Sequence, residues 1–247
     1  LQCWGANSHG AGNPPEGTFH QVFSGFMLGC ATNEIGEAQC WGYNQHGSTT
    51  GVVPTDTFQT VDVGEKYACG IKTDGSLACW GVFYNSGPVP NESSYTALST
   101  GSRFACAIAT DQSLTCWGTN SYGQTESPPG LFVSVASGIA DSCAIAIDGR
   151  VSCWGNSTSI ANDVPEGSFL QVSVGGEHAC GIKDDLTVAC WGQNYIGVTE
   201  PPEGKFKQLT SGDFHACGLQ YDGRIQCWGD PEPALAHNIG RVWVGHE

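Results

Sequence analysis

The sequence predicts an all-β protein, a seven-bladed β-propeller, on three observations. A Cys-Trp-Gly triplet recurs at Cys3, Cys40, Cys79, Cys116, Cys153, Cys190 and Cys227, with a period of 37 residues and two extra residues in the second unit. Fixed periods of this size mark solenoids, propellers or arrays. In six of the units another cysteine stands ten positions before the triplet, with a hairpin turn signal midway between. Finally, Ile239 to Gly245 matches the opening strand of a unit, and Leu1 to Gly5 matches its closing strand. A ring completed by both ends of the chain leaves no exposed sheet edge. The even repetition predicts one domain over residues 1–247.

Each unit opens with a strand that starts at an aromatic residue and ends at glycine: Phe19 to Gly25, Phe58 to Gly64, Tyr95 to Gly101, Phe132 to Gly138, Phe169 to Gly175 and Phe206 to Gly212. Within these segments Val61 and Val63, or Val172 and Val174, alternate with polar residues, the period of a half-buried strand. No segment has helical periodicity. The next strand carries the first cysteine, and a turn such as Thr73-Asp74-Gly75 leads into the Cys-Trp-Gly strand. A three-residue hairpin loop is commonly a type I turn ending in a left-handed residue, where glycine is favoured. Gly36, Gly75, Gly149 and Gly223 suit that position, and Gln112 and Asp185 are expected to fill it, with some strain, in the remaining two units.

That turn places the two cysteines directly opposite each other, within disulfide reach. The predicted bridges are Cys30–Cys40, Cys69–Cys79, Cys106–Cys116, Cys143–Cys153, Cys180–Cys190 and Cys217–Cys227. Buried free thiols or zinc ligands are the alternatives, but no Cys-x-x-Cys pair of the kind zinc sites favour occurs. Each short loop closed by a bridge is worth roughly 2–3 kcal/mol in the chain-entropy account. Cys3 is left over, and its partner is expected from outside the segment or from another chain. The same register sets Trp41, Trp80, Trp117, Trp154, Trp191 and Trp228 across from Gly29, Ala68, Ala105, Ser142, Ala179 and Ala216. A large ring over a small neighbour makes a flat slab for the next sheet, so these tryptophans read as core.

The loops after the triplets differ most between units. Several follow x-Asn-x-x-Gly, as in Asn7 to Gly10, Asn44 to Gly47, Asn120 to Gly123 and Asn194 to Gly197, and many continue with Pro and Gly. Val82 to Ser94 and Asn156 to Asp163 lose that pattern and carry glycosylation sequons at Asn91 and Asn156.

Thirteen cysteines in hairpin pairs imply an oxidising compartment, hence a secreted or cell-surface protein. No run of eighteen apolar residues appears, so no membrane insertion is expected within this segment. The net charge of −15 argues against nucleic acid, which needs clustered Lys and Arg.

Through Gly-x-x-x-Ala-Cys-x-Ile, Asp-Gly, Cys-Trp-Gly and the Asn-x-x-Gly loop, the units resemble the repeats of RCC1-like (regulator of chromosome condensation) seven-bladed propellers. The resemblance extends over essentially the whole chain. It is nearest to the cysteine-stapled branch, with the ectodomains of Crinkly-type plant receptor kinases and secreted bacterial repeat proteins. Such propellers serve as exchange factors for a small GTPase, chromatin binders, a secreted β-lactamase inhibitor and ectodomains with unknown ligands, so the resemblance implies a fold more than an activity. Acidity and disulfides speak against the nuclear roles, and no functional residue carries over.

The remaining candidates have bland readings beside functional ones. His178 and His215 share a repeat position with Leu28, Tyr67, Phe104 and Asp141, which reads as packing rather than metal binding or catalysis. His9 and His46 lie in solvated loops. Asp74, Asp111, Asp148, Asp184 and Asp222 recur in the hairpin turns, where local side-chain to backbone bonding explains Asp without calcium. No nucleophile elbow, phosphate loop or metalloprotease helix is present. The expectation is a non-enzymatic extracellular or cell-surface module, without cofactor, that recognises a protein or glycan partner through propeller-face loops or self-assembles into a larger structure or filament. A lectin using Tyr43, Tyr84, Tyr122 and Tyr195, or an inhibitor of a secreted enzyme, are the alternatives.

Overall fold

A computed structural model of the chain describes residues 12–25, 28–43, 53–82, 88–91 and 93–230, together with Leu1, Cys3 and Gly10. It contains six three-stranded antiparallel sheets, each formed by consecutive strands with the cysteine-bearing strand in the middle. The sheets are β1 (Gln21–Ser24), β2 (Leu28–Thr32) and β3 (Ala38–Gly42); β4 (Phe58–Val63), β5 (Tyr67–Lys72) and β6 (Leu77–Gly81); β7 (Tyr95–Thr100), β8 (Phe104–Ala109) and β9 (Leu114–Gly118). They continue with β10 (Phe132–Ser137), β11 (Asp141–Ala146) and β12 (Val151–Gly155); β13 (Phe169–Val174), β14 (His178–Lys183) and β15 (Val188–Gly192); and β16 (Phe206–Ser211), β17 (His215–Gln220) and β18 (Ile225–Gly229). The expected union of Ile239–Gly245 with Leu1–Gly5 lies outside the described residues. The protein is all-β apart from short turns of helix, one of them α1 (Thr158–Asn162), which the sequence periodicity did not announce.

Each middle strand meets its Cys-Trp-Gly strand in register. Cys69 faces Cys79 and Ala68 faces Trp80, and the equivalent pairs recur in all six sheets. A disulfide with Cα atoms 4.0 Å apart joins each facing pair, from Cys30–Cys40 to Cys217–Cys227. The bridge and the indole point to opposite faces of the blade, and this alternation builds the core. The cluster that holds Phe23, Leu28 and Cys30 of the first blade also holds Phe58, Val61, Ala68 and Trp80 of the second. The next cluster joins Cys69 and Ile71 to Tyr95, Ala105 and Trp117. One blade's disulfide face thus packs on the following blade's tryptophan face. The residue opposite the ring is small in all six, Ala or Ser in five and glycine in the first blade, where even a Cβ at Gly29 would stand 2.5 Å from the Trp41 ring.

The hairpin turns are three-residue loops whose last residue is left-handed. That residue is glycine in four blades, Gln112 in the third and Leu186 in the fifth. Asp185, expected there, lies one residue earlier. Its carboxylate accepts the Thr187 N–H at 2.9 Å, the role that Asp74 plays for Ser76. The recurring turn aspartate of the fifth blade is therefore Asp185 rather than Asp184. A slip of one residue separates expectation from structure at both positions.

The opening strands line the axis, and in the third, fourth and sixth blades the exposed edge of that strand is tied to the preceding blade. Asp62 accepts the N–H of Thr100 at 2.7 Å, Ser99 that of Ser137 at 2.9 Å and Ser173 that of Ser211 at 2.8 Å. Gln171 accepts the Leu209 N–H at 3.0 Å and donates to its carbonyl at 2.8 Å. Backbone groups that would otherwise template pairing with another chain are satisfied internally.

Where these strands end, consecutive blades approach backbone to backbone. A Cβ on Gly64 would lie 2.8 Å from the Gly101 carbonyl oxygen, and one on Gly101 would lie 2.6 Å from that of Gly138. No flexible side chain can yield there. We expect Gly101→Ala to cost about 3 kcal/mol through overpacking, read as a lower urea midpoint with unchanged far-ultraviolet circular dichroism. Wild-type stability of this variant would refute the close approach.

Beneath each glycine sits the first residue of the middle strand. Tyr67 there donates its hydroxyl to the Gly101 carbonyl at 3.0 Å and also to that of Phe104. His178 occupies the position in the fifth blade at 1% exposure, and its Nε2 has no hydrogen-bond partner among the described residues. Burial, then the nearby His215 of the next blade, pushes the His178 imidazole down to about 4 from its ordinary 6.5. The folded state holds the ring neutral, and the unfolded chain protonates first. Stability from this site is therefore complete above pH 6.5 and drains as pH falls toward 4, by up to about 3 kcal/mol. His178→Phe, the residue type of the third blade, should retain about 2 kcal/mol more of its neutral-pH stability at pH 4.5 than the wild type. Equal losses in parallel urea titrations at pH 7 and 4.5 would show that His178 does not titrate in this window.

Candidate functional site

Two concave or exposed regions merit functional reading: the axis and the face on which the Cys-Trp-Gly strands end. The axis encloses a cavity of about 560 Å³, with Ser99, Ser137, Val172, Ser173, Leu209 and Thr210 in its wall. Two wall hydroxyls, those of Ser99 and Ser173, accept from the neighbouring blade's backbone, as described above. Charge enters at the rim, through Glu65 and Asp213. Burial pushes the Glu65 carboxyl up, but the Ser102 hydroxyl at 2.9 Å and Arg103 Nε at 3.1 Å outweigh it and hold the group below its usual range. Glu65 thereby ties the second blade to the third.

The loop face is built on a repeated pin. From the second blade to the sixth, the residue after Cys-Trp-Gly donates its N–H to the tight turn between the first two strands of its own blade. Val82 bonds Lys66, Thr119 bonds Arg103, Asn156 bonds Ala140, Gln193 bonds Glu177 and Asp230 bonds Phe214, all at 2.9–3.1 Å. The Asn-x-x-Gly loops have their own clamp. Asn120 accepts the Thr125 N–H and donates to Glu126, and Asn194 does the same with Thr199 and Glu200. The indoles complete the anchorage: Trp154 Nε1 donates to Gln124 O at 2.9 Å, Trp191 to Ile160 O at 3.1 Å and Trp228 to Val198 O at 2.9 Å. These three tryptophans hold the loops that enter their own blades, whereas Trp80 and Trp117 Nε1 have no hydrogen-bond partner among the described residues.

Of the loop tyrosines singled out by the sequence, Tyr43 lies under Lys66, with Nζ 5.7 Å from the ring centroid, and Tyr122 is exposed. Tyr84, His9 and His46 lie outside the described residues. Asn91 and Asn156, the sequon asparagines, are both exposed. Burial raises the Asp141 carboxyl, which accepts the Ser157 N–H at 2.6 Å and so shapes the loop behind Asn156. The turn aspartates serve their own turns in separate blades, and no group of three His, Cys, Asp or Glu side chains suited to a metal forms among the described residues. Cys3 carries no disulfide. No helix among the described residues is long and apolar enough to cross a membrane.

One cluster joins two blades on this face. Tyr195, in the loop after β15, packs edge-on against Phe214, with ring centroids 6.3 Å apart and planes at 77°. Its hydroxyl donates to Glu177 Oε2 at 3.2 Å. The carboxylate raises the tyrosine's pKa, because ionising the phenol would break that bond beside a like charge. The sequence pointed to Tyr195 but not to Phe214 or Glu177. A signal existed: at the repeat position of Lys66, Arg103 and Ala140, an aromatic in a tight turn has no packing role to fill.

Comparison with known proteins agrees with this architecture. The profile of the regulator of chromosome condensation (RCC1) repeat matches residues 95–124 and 206–232, within the third and sixth units. No curated protein sequence matches the chain. Among solved structures, the Crinkly ectodomain of the Arabidopsis thaliana receptor kinase ACR4 is 28% identical, with a TM-score of 0.73 over 87% of this chain and 81% of that one. The entire ectodomain of the Physcomitrella patens receptor kinase CR4 is 27% identical with a TM-score of 0.74, and the match spans 84% of this chain but 62% of that ectodomain. Prp20p from Saccharomyces cerevisiae, at 15% identity and a TM-score of 0.74 over 84% of this chain and 71% of that one, shares the fold. Two of the units thus match the RCC1 repeat, and the chain folds as an all-β propeller with a disulfide in each of its six described blades, similar to the Crinkly-type receptor ectodomains.

Proposed function

We propose that the chain is a non-enzymatic extracellular binding module that holds a macromolecular partner on its loop face. The observation that carries this reading is the contrast between a scaffold stapled in every described blade and loops that differ from blade to blade while leaving it at pinned positions. Binding residues are commonly placed on loops held by a rigid frame. Six bridges suit an oxidising compartment, and the similarity to receptor ectodomains agrees with that placement.

A protein partner is favoured over a glycan. Two of the tyrosines proposed as sugar platforms are already engaged, Tyr43 by Lys66 and Tyr195 by Phe214 and Glu177. The lining of the axial cavity is largely neutral and small, with Glu65 and Asp213 as its charged residues.

The immobilised chain, offered to arrays of extracellular protein domains and of glycans, should retain a protein. Tyr122→Ala or Tyr195→Ala should weaken that retention, whereas Tyr221→Ala, in a hairpin turn on the opposite face, should leave it unchanged. Signal confined to glycans, turnover on a hydrolase panel, or a partner insensitive to loop-face changes would each defeat the proposal.

A further inference from the structure

We infer that the Tyr195–Phe214–Glu177 cluster receives a cationic side chain, a lysine or arginine carried by a protein partner. The inference rests on the binding-module reading and adds to it the place and the chemistry of recognition. Tyr195 is 48% exposed and Phe214 47% exposed, so two large rings remain open to solvent although each already touches the other. Standing nearly perpendicular, they form two walls of a corner, and the Glu177 carboxylate is bonded to one of them. Ring faces and a carboxylate together attract a cation that has shed part of its water.

The surrounding field has the same sign. Asp213 and Asp230 lie near enough to favour the protonated form of His215, partly offsetting the effect of its burial, and Glu177 acts on Asp141. No Lys or Arg pairs with Glu177 among the described residues. A neutral sugar would draw nothing from the charge of the Glu177 carboxylate, and rings at 77° do not make a flat platform for one.

The second blade displays the proposed interaction within the chain itself. Lys66, at the repeat position of Phe214, lies 5.7 Å from the Tyr43 ring centroid and 3.6 Å from Glu65. In the fifth and sixth blades the lysine position is taken by Glu177 and Phe214, so no lysine or arginine among the described residues pairs with this acid. Beside them Ile196 is held at φ 57° and ψ 34°, a conformation disfavoured for a β-branched residue, with its side chain 65% exposed. Strain kept in an exposed loop residue is characteristic of binding surfaces.

The test is a nuclear magnetic resonance titration of the intact ¹⁵N-labelled chain with acetyl-Gly-Arg-Gly-amide and acetyl-Gly-Lys-Gly-amide, beside the citrulline analogue and chitotriose. Saturable shifts are expected at the amides of Tyr195, Ile196, Phe214 and Glu177 with the two cationic peptides alone. Glu177→Gln and Phe214→Ala should each weaken binding about fivefold. Both side chains are exposed, and unchanged amide positions in the third and fourth blades would verify that the variants fold. Citrulline equal to arginine, shifts produced by chitotriose, shifts confined to other residues, or wild-type affinity in both variants would overturn the site. A protein captured on the array and held equally by Glu177→Gln and Phe214→Ala would also overturn it, while leaving the binding-module reading intact.

Discussion

The structure depends on one contact, repeated around the axis: the face of a blade that carries the disulfide lies flat against the indole face of the next. Flatness is the constraint. An indole can present a plane only if the residue across the hairpin is too small to lift it, and the middle strand is accordingly limited to Gly, Ala or Ser at that position. The same economy of size appears under the opening aromatics, where Gly70, Gly181 and Gly218 lie against the rings of Phe58, Phe169 and Phe206. The disulfide secures the hairpin that keeps ring and small residue in register, so a covalent and a steric device address one requirement.

That requirement explains which features were legible in the sequence. Cysteine spacing, the midway turn and the small partners of tryptophan are local, periodic constraints, and each left a readable mark at a fixed offset. Strand register followed from them. The turn in the fifth blade shows the limit, because Asp184-Asp185-Leu186 contains two aspartates and the one nearest the expected glycine position was misplaced by a residue. The helix Thr158–Asn162 was illegible for another reason. A five-residue segment is too short for periodicity to register, and it is held by the Trp191 indole on the Ile160 carbonyl rather than by its own pattern.

The loop-face cluster was only half visible. Tyr195 stands in a recognisable loop, but Phe214 and Glu177 come from equivalent turns of two different blades, and their meeting is a property of the ring. Sequence repetition emphasises what blades share, whereas recognition depends on where they depart from one another. The fifth and sixth blades depart together in combining histidine at the first position of the middle strand with an acid or an aromatic residue just before it.

The oxygen that three of the opening strands lend to the following blade gives the ring a direction. Asp62, Ser99 and Ser173 all reach forward in chain order, so lender and borrower are separate positions of the same unit. A whole unit inserted or excised at a period boundary would keep lender and borrower positions facing each other at the new junction, while a fragment of a unit would throw them out of register. Propellers built this way can change their copy number in evolution by complete modules, and their faces can diversify without disturbing the hub.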